Sequence, residues 1–249
     1  MHDFDRHSRR RWVYMALPII GISIVWVGLC VHTRSVQAAL VSTWPADLQR
    51  SPKLLETAMR IARPVYATHC ALCHGTDLTG NRTKGVSPLS GPAWLYGGDI
   101  ADLENTIRYG VRSGDPRSHN VTDMPAAGRT QQLSASQIAD VVEYLLSLTQ
   151  NPHDESAAQR GDALFHDQGN CFDCHGNDAK GNTNYGSPSL RGPAWIYGGD
   201  RQALYQSIYS GRHGLCPAWN SSLSAVQIRA LAAFIYVESH PDGADTRHL

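Results

Sequence analysis

CALCHG at 70–75 and CFDCHG at 171–176 are the stretches that decide how this chain is read. Each sets two thiols three positions apart and a histidine directly after the second. Each is followed by a second shared phrase, GPAWLYGGD at 91–99 and GPAWIYGGD at 192–200. The offset is 101 residues at both landmarks, and it holds at Asp77/Asp178, Gly80/Gly181, Asn81/Asn182, Ile107/Ile208 and Gly110/Gly211. The register then slips. Met124-Pro125-Ala126 aligns with Cys216-Pro217-Ala218 at an offset of 92, so nine extra residues lie between Val111 and Asp123. Leu133-Ser134-Ala135 and Leu223-Ser224-Ala225 match at an offset of 90. Self-similarity over this length means two copies of one structural unit.

Both copies read as helical. Ser134 with Gln137, and Ser224 with Gln227, have capping-box spacing. The helices they open carry Ile138, Val141, Val142, Leu145 and Ile228, Leu231, Ala232, Ile235, the spacing of one buried helical face. Leu103 and Ile107, like Leu204 and Ile208, suggest a shorter middle helix, with Asp99 and Asp200 as N-caps. A further helix leads into each cysteine pair, at 53–66 and 155–167. No stretch alternates long enough to demand a sheet, so the fold class is all-α.

Cys-x-x-Cys-His is the attachment pattern for c-type haem. Cys70 and Cys73, and Cys171 and Cys174, would form thioethers to the haem vinyl groups, and His74 and His175 would bind the iron from one side. A zinc site built from the four cysteines would leave the histidine after each pair unexplained. A redox dithiol would need a preceding strand, where these segments read as helical. Two covalent haems are therefore expected.

Each iron needs a second ligand. In copy one Met124, just before Pro125, is placed to offer a thioether, which raises the potential. Copy two has Cys216 at the equivalent position. A thiolate there would favour ferric iron. His213, three residues earlier, is a competing ligand, and an iron without a protein ligand on that side is a third option. A swap, in which a distal ligand from one copy serves the other, is also open. Trp94, Tyr96, Trp195 and Tyr197 read as haem-pocket packing, and His119, His153, His166 and His240 as surface residues.

Lys+Arg and Asp+Glu both number 22 among the 249 residues, which argues against a nucleic-acid binder. Trp12 to Val31 is a run of 20 uncharged residues, long enough as a helix to span a bilayer. Arg6, Arg9, Arg10 and Arg11 crowd its N-terminal flank, which puts the N-terminus in the cytoplasm and the rest across the membrane. A cleaved signal peptide, with Val36-Gln37-Ala38 as the cleavage site, is the alternative. Both readings export the cysteine motifs.

These residues together resemble the dihaem, membrane-anchored subunit III of cbb3-type cytochrome c oxidase, the CcoP/FixP family. The likeness covers nearly the whole chain. Its most specific marks are the doubled W-[LI]-YGG, Trp94 to Gly98 and Trp195 to Gly199, and the phrase from Gly211 to Trp219, with Cys216 where that family has methionine. The resemblance implies a cytoplasmic N-terminus at 1–11, a transmembrane helix at 12–32, a linker at 33–52, and a cytochrome c domain at 53–149. A linker at 150–155, a second cytochrome c domain at 156–240 and a tail at 241–249 complete the layout. It implies a bacterial inner-membrane subunit with periplasmic haem domains. That subunit relays electrons from a donor cytochrome c to the monohaem and catalytic haem–copper subunits and has no oxygen-reducing site of its own. Cys216 keeps a dihaem thiosulfate dehydrogenase-like enzyme in view, and a free-standing dihaem carrier is a further alternative.

Overall fold

The structure is a computed structural model that describes Ser23 and residues 25–91, 94–192 and 195–240. Most of the expected membrane segment at 12–32, the tail at 241–249 and the Pro-Ala pair of each GPAW phrase lie outside the described residues. Residues 25–42 are helical. Among the described residues no helix is long and apolar enough to cross a membrane.

Each copy contributes a leading helix, a one-turn helix carrying the cysteine motif, a middle helix and a closing helix. In copy one these are Pro52–His69, Ala71–His74, Ile100–Tyr109 and Ala135–Leu148. In copy two they are Glu155–His166, Phe172–His175, Arg201–Ser210 and Ala225–Ser239. The local signals behave as read. Asp99 accepts from the Asp102 N–H at 2.8 Å and Asp200 from the Ala203 N–H at 3.0 Å. Both capping boxes form. Among the described residues the only β-type pairings are isolated bridges.

The helices do not pack copy by copy. The leading helix Pro52–His69 and middle helix Ile100–Tyr109 pack against the closing helix of copy two, Ala225–Ser239. The closing helix of copy one, Ala135–Leu148, packs against Glu155–His166 and Arg201–Ser210. One core therefore joins Leu55, Ala58, Ala62, Tyr66, Ile100 and Leu103 to Ile228, Leu231 and Ile235. The other joins Ile138, Val141, Val142 and Leu145 to Phe165, Leu204 and Ile208. The closing helices of the repeats at 53–149 and 156–240 are thus exchanged between the two cores.

Two physical causes favour the exchange. Only residues 149–154 separate Leu148 from Glu155, so the two helices they join fold back as a helical hairpin. Gly161 lets their backbones approach: a Cβ there would lie 2.0 Å from the Asp140 carbonyl oxygen. The second cause is charge. Arg160 meets Asp140 at 2.7 Å, and Arg201 meets Glu143 at 2.6 Å. Glu104 takes Arg108 at 2.5 Å and also Arg229, whose guanidinium donates to the Thr43 carbonyl at 2.7 Å. The Arg160–Asp140, Arg201–Glu143 and Arg229–Glu104 pairs each join one copy to the other. By the offset of 90 between the closing helices, self-pairing would set Glu104 opposite Ala139 and Arg201 opposite Ala233. A buried carboxylate without its cation is costly, so the exchanged arrangement is the one the charges select.

Candidate haem sites

The leading helix of copy one ends at the motif: Cys70 N–H donates to the Tyr66 carbonyl at 2.8 Å, and His74 N–H to the Cys70 carbonyl at 2.9 Å. The motif turn is closed by Gly75 (φ +78°) in copy one and Gly176 (φ +79°) in copy two, a conformation that costs glycine little. The loop that follows folds back over the histidine. Ser87 carbonyl lies 3.2 Å from His74 Nδ1, and Pro188 carbonyl 3.0 Å from His175 Nδ1. A backbone acceptor at Nδ1 fixes the ring and turns Nε2 toward the pocket, the arrangement a metal-binding histidine requires. Burial lowers both imidazole pKa values, so both rings are neutral and able to ligate. Burial also pushes the Cys70 and Cys171 thiols up to about 11.

The distal segments cross between copies as the helices do. Cys216 and Val111 exchange two backbone hydrogen bonds of 2.9 Å, and Met124 and Arg212 exchange two of 3.1 Å. Cys216 lies close enough to the first motif that its charge raises the Cys70 thiol, while burial and then the charge of Cys73 push Cys216 itself up to about 11. Met124 packs against the core that holds Cys171, Phe172 and Trp195. Chain order sets Met124 with His74 and leaves a swap open; in the structure Met124 packs with residues around the second motif, and Cys216 lies near the first. His213 joins neither group. Its side chain is 61% exposed and its Nδ1 lies 2.9 Å from Asp123.

Whether these pockets fit a haem can be tested on their polar atoms. Trp94 Nε1 is buried and has no hydrogen-bond partner in the protein. An N–H left so is costly unless a bound group accepts from it, and the carboxylate-bearing edge of a haem is such a group. The indole is held by close backbone approach: a Cβ at Gly98 would fall 2.1 Å from Trp94 Cδ1, and one at Gly199 2.3 Å from Trp195 Cδ1. Four free cysteine thiols in two pairs and two neutral histidines complete a donor set that fits two haems c. Among the described residues no three His, Cys, Asp or Glu side chains come together as ligands for a bare metal ion.

Ser87, Pro188 and His119 were missed in the sequence, and the two tyrosines were read only in part. The carbonyls of Ser87 and Pro188 carry no side-chain signal. Tyr96 and Tyr197 do more than line their own pockets, because each reaches a glycine of the other copy. His119, read as a surface residue, is half-buried and stacks on Tyr96 with centroids 4.1 Å apart. The 101-residue offset shared by Tyr96/Tyr197 and Gly85/Gly186 was the available clue.

Comparison with known proteins shows the family. Residues 61–149 match the cytochrome c family, and residues 156–235 match "Cytochrome C oxidase, cbb3-type, subunit III". The CcoP subunit of Cereibacter sphaeroides is 33% identical over 81% of this chain and 68% of that protein. FixP of Azorhizobium caulinodans is 37% identical over 82% and 68%. The chain belongs to the CcoP/FixP family. CcoP of Azospirillum brasilense is another relative, 37% identical over 80% of this chain and 68% of its own length. As a CcoP/FixP member the chain is a redox component of the cbb3-type oxidase kind, built from two cytochrome c-type domains.

Proposed function

We propose that this chain is the dihaem electron-transfer subunit of a cbb3-type cytochrome c oxidase, passing electrons from a donor cytochrome c to a monohaem subunit and on to the catalytic haem–copper subunit. The observation that carries the reading is the doubled motif whose histidines are each pinned at Nδ1 by a backbone carbonyl. Haem c supplies a reversible one-electron iron couple. Cys70 and Cys73 would hold one haem and Cys171 and Cys174 the other. His74 and Cys216 would ligate the first, His175 and Met124 the second. The chain's own part is to fix these ligands, keep water from them and set their potentials. Methionine favours ferrous iron and thiolate ferric iron, so the two midpoints would lie far apart.

The same reading anchors the chain in the bacterial inner membrane through the apolar run at 12–31, with the N-terminus cytoplasmic and the haem domains periplasmic. Val25, Trp26, Val27, Leu29 and Val31 support this, since they are 53–66% exposed on the N-terminal part of the helix at 25–42. A second reading, a thiosulfate dehydrogenase-like enzyme, draws on the closeness of Cys216 to the first motif. Purification from membranes decides between them. Recovery in a complex with a haem–copper subunit, reduced by cytochrome c and oxidised by oxygen, supports the oxidase subunit. Isolation alone with thiosulfate-oxidising activity overturns it.

A further inference from the structure

Tyr197 and Tyr96 sit at the crossing of the two copies in a nearly symmetric way. A Cβ at Gly85 would lie 2.1 Å from Tyr197 Cε1 and 2.4 Å from its Oη. A Cβ at Gly186 would lie 2.2 Å from Tyr96 Cζ and 2.3 Å from its Oη. Each ring thus rests on the bare backbone of a glycine, at φ +66° in both cases, in the other copy's loop.

Those loops carry the carbonyls that orient the histidines. In copy one, Asn81 and Val86 exchange two hydrogen bonds of 2.9 Å around Gly85, and the next residue, Ser87, accepts from His74. In copy two, Asn182 and Ser187 exchange two of 3.0 Å around Gly186, and Pro188 accepts from His175. Each ring is braced by a second partner as well. The Arg212 guanidinium lies 3.8 Å from the Tyr197 ring centroid, and the His119 ring stacks on Tyr96. Arg212 is the residue paired with Met124, and His119 bridges to Val111, the residue paired with Cys216. Each tyrosine therefore stands between the distal segment of one haem site and the proximal loop of the other.

We propose that Tyr197 is a positioning residue for His74 and Tyr96 one for His175, each acting from the opposite copy through the loop it wedges. Acceptors at the outer nitrogen of a ligating histidine set its orientation and basicity, so displacing the carbonyl shifts the iron's potential. The proposal rests on the dihaem reading above. Haem content separates the two failures, because a chain without two covalent haems defeats that reading before the tyrosines are tested.

The experiment is potentiometric titration of the full-length holoprotein and its variants. The haem served by Met124 is followed through the charge-transfer band of methionine-ligated ferric haem, and the other through the remaining visible change. Tyr197→Leu is expected to move only the haem of the first motif and Tyr96→Leu only that of the second. Each shift should reach about tenfold in the ferric/ferrous equilibrium, or about 59 mV for one electron. Tyr197→Phe and Tyr96→Phe keep the wedge and should leave both midpoints in place. If a leucine variant does not mature, Gly85→Ala or Gly186→Ala displaces the same loop from its other side and should move the same haem. Midpoints that stay put in mature leucine or alanine variants, or shifts confined to the haem of the tyrosine's own copy, overturn the proposal.

Discussion

Removing the Glu104 carboxylate should expose how the two copies are held together. Its side chain is 12% exposed and faces Arg229, 10% exposed, from the closing helix of the other copy. In Glu104→Ala, Arg108 is 25% exposed and can turn to water. Arg229 cannot, and keeps only the carbonyls of Leu40 and Thr43 as acceptors. Breaking a buried pair from one side costs about 3–5 kcal/mol. For a chain of this size that lowers Tm by about 6–20 °C. Arg229→Met should cost less, about 1–3 kcal/mol, because Glu104 keeps Arg108 at 2.5 Å. The double variant Glu104→Met/Arg229→Met should recover much of the loss, since two apolar side chains leave no buried charge. Thermal unfolding followed by circular dichroism on the holoprotein reads all three. Single variants that melt with the wild type would show that the closing helix of copy two does not lie on the core of copy one.

Other outcomes follow from the same geometry. Cys216→Met should raise the lower of the two midpoints and narrow their separation, and a redox titration with no change would remove Cys216 from the iron. Glu143 is held below the usual carboxylate range by hydrogen bonds from Arg201, aided by the Asp154 N–H. Its stabilising effect is therefore complete above the unfolded value of about 4.3 and is lost as pH falls through the lower folded value. Glu143→Gln should reduce stability at neutral pH and flatten the loss on acidification; an unchanged acid limb in denaturant melts would contradict this. Gly161→Ala puts a methyl 2.0 Å from the Asp140 carbonyl oxygen, so the hairpin helices must part. A loss of about 1–3 kcal/mol is expected in denaturant titrations, and a neutral result would mean the helices do not cross there.

Local chemistry was legible in the sequence. The capping boxes at Ser134/Gln137 and Ser224/Gln227 and the caps Asp99 and Asp200 are short-range devices, and each forms as its spacing indicates. The apolar faces of the closing helices were equally plain, but Ile138, Val141 and Leu145 present much the same stripe as Ile228, Leu231 and Ile235. Such a stripe states that a face is buried, not against what. The choice of partner is made by the short connection at 149–154 and by single charges such as Arg160, Arg201 and Arg229, which look like ordinary surface residues in one dimension. The exchange of the Met124 and Cys216 segments follows from that choice, which is why chain order left the swap open. The Ser87 and Pro188 acceptors depend on backbone placement alone, and the tyrosine wedges left no more trace than the offset shared by Tyr96/Tyr197 and Gly85/Gly186.

Haem stoichiometry is the most direct test of the whole account. Intact mass of the mature chain, paired with the reduced pyridine haemochrome spectrum, should give two covalent haems per polypeptide. It should give one when both Cys171 and Cys174 are replaced by alanine. A native chain carrying a single haem, or none, would contradict it.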